Sequence, residues 1–226
     1  MGAESKYKER PILFSAPMVL AILQGRKTQT RRVVKYEHYH GCFTGDCPHG
    51  SQTECNDSLR EYGLNECPYG FPGDRLWVKE TYWAFDKPTS DMFGPNPIHY
   101  RANYAFNPKG DKEAGIVWRP SIFMPRWASR ITLEITDVRV QQLQEISEKD
   151  AQAEGILVER VITGVECYGG PPIESYGDRA FYEGGSDEGY SDAAEAYSHL
   201  WDDINGKTNP WESNPWVWAI TFRRAS

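Results

Sequence analysis

The chain has 226 residues with 39% hydrophobic and 25% charged side chains, enough to bury a core without disulfides or metal. Its net charge of −7 argues against a protein that coats long nucleic acid by charge alone, though not against a local basic pocket. No run of 18 apolar residues predicts a membrane span, and the polar start at Met1–Lys8 is no secretory signal, so the expected location is cytoplasmic.

Ile12, Leu13 and Phe14 read as a short buried strand. Ser15 is placed to cap a following helix whose apolar side is Met18, Val19, Ala21, Ile22 and Leu23, with Pro17 in its first turn. Gly25 suits the left-handed position that ends a helix. A basic stretch, Arg26 to Lys35, begins there on a tight turn and holds five Lys or Arg and no acid.

Residues 36–68 are polar and read as an insertion carrying four of the five cysteines and three of the five histidines. Cys42, Cys47, Cys55 and Cys67, with His38, His40 and His49, are residue types that hold a structural zinc. Their spacings of 4, 7 and 11 residues lack a paired C-x-x-C, so reduced thiols in an insertion stand as the alternative. No other cofactor is expected.

Pro72-Gly73-Asp74 is a turn before a strand at Arg75–Lys79, and His99–Arg101 is a candidate for another. From Ser129 to Val140, Ile131, Leu133, Ile135 and Val138 alternate with polar residues, a half-buried strand with a bulge near Asp137. Ser147 opens a helix that ends at Gly155. Residues 157–191, rich in Gly, Tyr and acids without a period, read as a loop insertion. Ala194, Tyr197, Leu200, Trp201 and Ile204 have helical spacing, with Gly206 at the end. Trp216, Trp218, Ile220 and Phe222 form the aromatic face of a last strand. The order predicts an α+β fold, a mixed β-barrel with peripheral helices in one domain over 1–226, rather than a doubly wound sheet.

Lys27 lies within a few residues of three arginines, and neighbouring positive charge lowers a lysine's pKa toward the range of a general base. Thr30 offers a hydroxyl nucleophile three residues on. A solvated basic turn is the plainer alternative. Glu154, in the last turn of its helix, meets a dipole that disfavours a carboxylate and suits a proton donor; an ordinary surface glutamate is the alternative. Trp83 and Arg126 are candidates for seating a base by stacking, and Glu80 for accepting from an exocyclic amine.

Gly25-x-Lys27-x-x-Thr30-x-Arg32 resembles the signature of ASCH-domain proteins, a branch of the PUA-like superfamily, with Thr in place of the usual Glu. The same departure marks bacterial acetylcytidine amidohydrolases, small ASCH enzymes. That resemblance implies a catalytic set of Lys27, Thr30 and Glu154. Arg26, Arg31 and Arg32 would then hold phosphate or sugar. Segments such as Met124-Pro125-Arg126-Trp127-Ala128-Ser129-Arg130 and Asn214-Pro215-Trp216-Val217-Trp218 resemble longer ASCH proteins of phages and prophages. The resemblance implies a PUA-like barrel that binds RNA, a nucleoside or a nucleotide, with hydrolysis of an N-acylated cytidine as the candidate activity. A non-catalytic reader of modified nucleic acid, a ribonuclease and a phage structural or partner-binding protein are the other readings.

Overall fold

The computed structural model describes residues 7–35, 60–61, 64–84, 98–104, 107–113, 115–166, 173–182 and 184–225. The chain is mixed α+β. Its strands are β1 (Glu9–Leu13), β2 (Gln29–Val33), β3 (Arg75–Lys79), β4 (Tyr82–Ala84), β5 (Ile98–Tyr100), β6 (Thr132–Gln142), β7 (Leu157–Glu166), β8 (Ile173–Phe181) and β9 (Trp216–Arg224). Its helices are α1 (Ala16–Leu23), α2 (Pro108–Glu113), α3 (Glu148–Ala153) and α4 (Ala193–Asn205). The chain divides into two compact units, one of residues 1–25, 68–137 and 222–226, the other of 26–67 and 138–221.

In the first unit the strand order is β1-β3-β6-β9. β1 runs parallel to β3, with Glu9 opposite Arg75 and Leu13 opposite Lys79. β3 is antiparallel to β6. Alternation sends Leu76 and Val78 into the core with Leu133 and Ile135, while Arg75, Trp77 and Lys79 take the outer face. Ser15 stands at the N-cap of α1 but its side chain makes no capping bond, and Val19 N–H reaches the Ser15 carbonyl instead. β4 and β5 form a separate ribbon over Met124 and Ala128.

In the second unit the order is β6-β9-β2. β2 is antiparallel to β9, pairing Thr30 with Ile220 and Arg31 with Ala219. Along β6 the buried positions pass from Leu133 and Ile135 to Val138 and Val140 across exposed Thr136 and Asp137, the change of parity that a bulge produces. β9 is buried on both faces rather than one. Its small residues explain this: Val217 packs in a cluster with Leu143, Ala151, Tyr197 and Trp201, from α3, α4 and the turn before α3. Among the described residues the strands form no closed barrel.

Two expectations are corrected. The basic stretch is not a turn over its length, because Gln29–Val33 is a strand, and the Arg31 charge within it is met by Asp150 and Glu154. Within 157–191, residues 157–166 and 173–181 are strand rather than loop, because β7 and β8 pair from Leu157↔Phe181 to Glu166↔Ile173. Leu157, Val158 and Ile162 of β7 are exposed, so among residues 157–162 no buried face imposes a period of two. A two-stranded hairpin is marginal alone. This one is tied down by the Ala180–Tyr190 bridge and by Tyr182, whose hydroxyl meets Asp203 of α4 at 2.7 Å. The 36–68 insertion falls mostly outside the described residues.

Candidate active site

Two glycine turns deliver the central pair of the second unit. Gly25 has φ +77° after α1, and Gly155 has φ +106° after α3, values that L side chains rarely adopt. Ser147 caps α3, its hydroxyl accepting from Asp150 N–H at 3.2 Å. Thr28 N–H donates to the Ala153 carbonyl at 2.8 Å, which fixes the start of β2 against the end of α3.

Lys27 and Glu154 meet there. Lys27 Nζ donates to Glu154 Oε2 at 2.6 Å and to the Glu154 carbonyl at 2.8 Å. Their side chains are 1% and 3% exposed. Arg31 Nη1 donates to the other carboxylate oxygen, Oε1, at 3.1 Å. Tyr197 of α4 lies near enough to sense the charge of the same carboxylate. Glu154 is therefore no solvent-facing glutamate.

A second tier holds Arg31. Its Nη1 also donates to Gln29 Oε1 at 2.6 Å, and its Nη2 to Asp150 Oδ2 at 3.2 Å. Gln29 Nε2 donates to Asp150 Oδ1 and to Thr221 Oγ1, both at 3.2 Å. Asp150 reaches solvent through Arg139, whose Nη2 lies 3.1 Å from Oδ1. Among the described residues, Arg31 Nε is buried without a hydrogen-bond partner. Arg26 is exposed, its Nη1 donating to the Gly155 carbonyl at 3.1 Å.

Burial sets the electrostatics. It pulls the Lys27 pKa below the ordinary lysine value; the Glu154 charge and hydrogen bond oppose this, and the Arg32 and Arg31 charges add to the fall. Burial raises the Tyr197 pKa well above the ordinary phenol, helped by the Glu154 charge. Burial pushes Asp150 up, but hydrogen bonds from Arg139 and Gln29 and the charges of Arg139 and Arg31 outweigh it, and its pKa is lowered.

Alternation along β2 places Gln29 and Arg31 on the face of Asp150 and Glu154. Thr30, 1% exposed, and Arg32 take the opposite face, beside Ile220 and Trp218. Lys27 precedes the strand and senses both Arg32 and Arg31. Thr30 is thus buried next to this constellation in sequence but not on the face that carries the acids.

Glu80, Trp83 and Arg126 belong to the first unit. Glu80, 1% exposed, accepts a two-pronged contact from Arg130 Nε and Nη2 at 2.8 and 2.9 Å. Trp83 packs on His99 with ring centroids 4.8 Å apart. Arg126 Nε donates to Glu9 Oε2 at 2.9 Å.

Of the zinc candidates only Cys67, which is buried, lies among the described residues; Cys42, Cys47, Cys55, His38, His40 and His49 fall outside them. Among the described residues no group of three His, Cys, Asp or Glu is arranged for a metal, and no helix is long and apolar enough to cross a membrane.

Sequence reasoning missed Gln29, Asp150, Arg139 and Tyr197. Asp150 reads as part of a helix cap and Tyr197 as helix core; only the fold unites them. No family model, characterised protein or solved structure matches the chain.

Proposed function

We propose that the chain is an ASCH-type protein of PUA-like fold that takes an unpaired nucleobase, in a nucleoside or RNA, at the start of β2, and hydrolyses the acyl group of an N-acylated cytidine. The reading also carries the phage or prophage origin and cytoplasmic setting that the resemblance implies. The observation that carries it is the buried Lys27–Glu154 contact, made at 2.6 Å by residues 127 positions apart. A buried lysine with a lowered pKa beside a carboxylate is a proton-transfer pair. Moving one proton along this bond gives a neutral amine and a neutral acid.

The resemblance makes Thr30 the nucleophile, its hydroxyl proton passing to the neutral Lys27 amine as the oxygen attacks the acyl carbon. Because Thr30 lies on the β2 face opposite Arg31, this step asks Lys27 to turn from Glu154 toward that face. The C–N bond then breaks, the departing cytosine amine takes a proton from Glu154, and an acyl ester remains on Thr30. Water hydrolyses the ester to a carboxylic acid. Arg31 holds the Glu154 carboxylate in place. Arg26 and Arg32 supply charge for phosphate or sugar.

Acetylcytidine is the test substrate. Turnover is expected, with loss of at least about a hundredfold in Thr30→Ala and Lys27→Ala and substantial recovery in Thr30→Ser. Turnover that survives both alanine variants sinks the mechanism. A second reading, a non-catalytic reader of modified bases, is favoured by the closure of the network, since Glu154 and Lys27 already satisfy one another. It predicts base-dependent binding by calorimetry with no product.

A further inference from the structure

The first unit carries a surface that the proposed pocket does not use. Ile122, Phe123 and Trp127 are 60%, 70% and 70% exposed. They sit on two successive one-turn 3₁₀ helices, Ser121–Phe123 and Arg126–Ala128. Large apolar side chains so exposed within six positions ask for a covering partner.

The backbone beneath them is held. Met124 and Ala128, between and after the exposed residues, are 2% and 1% exposed. The Tyr82 hydroxyl donates to the Phe123 carbonyl at 3.3 Å, and the Tyr100 hydroxyl to the Ala128 carbonyl at 2.9 Å. The rings are therefore presented by a fixed frame.

Cations stand beside them. Lys79 Nζ donates to the Ile122 carbonyl and lies 5.5 Å from the centroid of the Trp77 ring. The Arg126 guanidinium lies 5.9 Å from the same centroid. Glu9 offsets part of this charge through its contact with Arg126. Arg75, on the same outer face of β3, adds a further cation.

Flat exposed rings interleaved with Lys and Arg match the chemistry of unpaired bases joined by phosphates: rings stack on bases, and cations meet the backbone. An aliphatic or acidic peptide would use the charge but not the rings. We propose that the surface formed by Trp77, Lys79, Ile122, Phe123, Arg126 and Trp127 binds single-stranded nucleic acid by stacking, without sequence readout. This inference stands apart from the hydrolytic reading, since it asks only for binding of unmodified strands.

The test is fluorescence anisotropy of labelled oligo-U and oligo-dT with the intact chain at low and moderate salt. Binding is expected, weakening as salt rises. Phe123→Ala and Trp127→Ala should each weaken it by roughly tenfold. Trp127→Phe should restore most of the loss, and Lys79→Gln should reduce the salt slope by about one phosphate's share. These side chains are exposed, so circular dichroism and the melting temperature should match the parent. The proposal is overturned if no strand binds, if binding is unchanged in the Phe123→Ala/Trp127→Ala double variant, or if sedimentation shows that this face pairs two copies of the chain or that it captures an acidic peptide in preference to the strands.

Discussion

Lys27 Nζ and Glu154 Oε2 lie 2.6 Å apart, with both side chains almost wholly removed from water. Two opposed desolvation costs meet in one hydrogen bond, and Arg31 takes the carboxylate's other oxygen. Removing Glu154 leaves the Lys27 charge buried and uncompensated, and removing Lys27 leaves the buried Glu154 carboxylate with Arg31 alone. Lys27→Met alone, or Glu154→Leu alone, should destabilise the fold by about 3–5 kcal/mol. The double variant Lys27→Met/Glu154→Leu should cost less than the two single losses added, because each removes the charge the other strands. Urea unfolding of the four proteins checks this. Additive losses would mean that the two side chains do not depend on one another.

The same burial gives the fold a signature at alkaline pH. Lys27 has a folded pKa below its unfolded value of 10.5. Between those two values the unfolded chain binds more protons than the native one, so the Lys27 contribution to stability rises with pH. It is fully present above 10.5 and is lost as pH falls through the lowered folded pKa. Tyr197 works in the opposite direction. Its folded pKa lies well above 10.0, so its contribution is present below 10.0 and is lost as pH rises beyond it. Chemical unfolding between pH 7 and 11 should show the parent gaining stability relative to Lys27→Met as pH rises toward 10.5. It should show the Tyr197→Phe variant losing less than the parent above pH 10.0. Parallel pH curves for the parent and both variants would contradict a lowered Lys27 and a raised Tyr197 alike.

The elements with a strong period were legible in the sequence. Leu133, Ile135 and Val138 announce β6, and the bulge expected near Asp137 coincides with the change of buried parity there. Ser147 and Gly155 mark the two ends of α3. The β7–β8 hairpin was not legible, because exposed Leu157, Val158 and Ile162 carry no alternation of burial. In the site, Lys27 and Glu154 were singled out by resemblance, and their contact is a property of the fold. Asp150 and Tyr197 carry no local signal, since their roles arise only when α3 and α4 pack near β2. Thr30 shows the converse: one-dimensional spacing puts it close to Lys27, while the strand's alternation turns it to the face opposite Arg31.

Arg31 is the joint between the two tiers of the site. One guanidinium, 0% exposed in its side chain, bridges Gln29, Glu154 and Asp150 through two terminal nitrogens. A planar fork can do this, and a single ammonium on a flexible stem cannot address three acceptors with the same geometry. Arg31→Lys should therefore behave as a loss, costing about 2–4 kcal/mol in stability even though the charge is kept. Arg31→Ala should cost more, since Glu154 and Asp150 then lose a shared cation at one stroke. Two consequences separate this from a general packing defect. Asp150 is lowered partly by the Arg31 charge, so its carboxyl should titrate upward in Arg31→Ala, as carbon-detected NMR reads. Lys27 is lowered partly by the same charge, so in Arg31→Ala that part of its fall should be relieved. A stable Arg31→Ala variant with Asp150 unmoved would show that the bridge is not what holds the two acids.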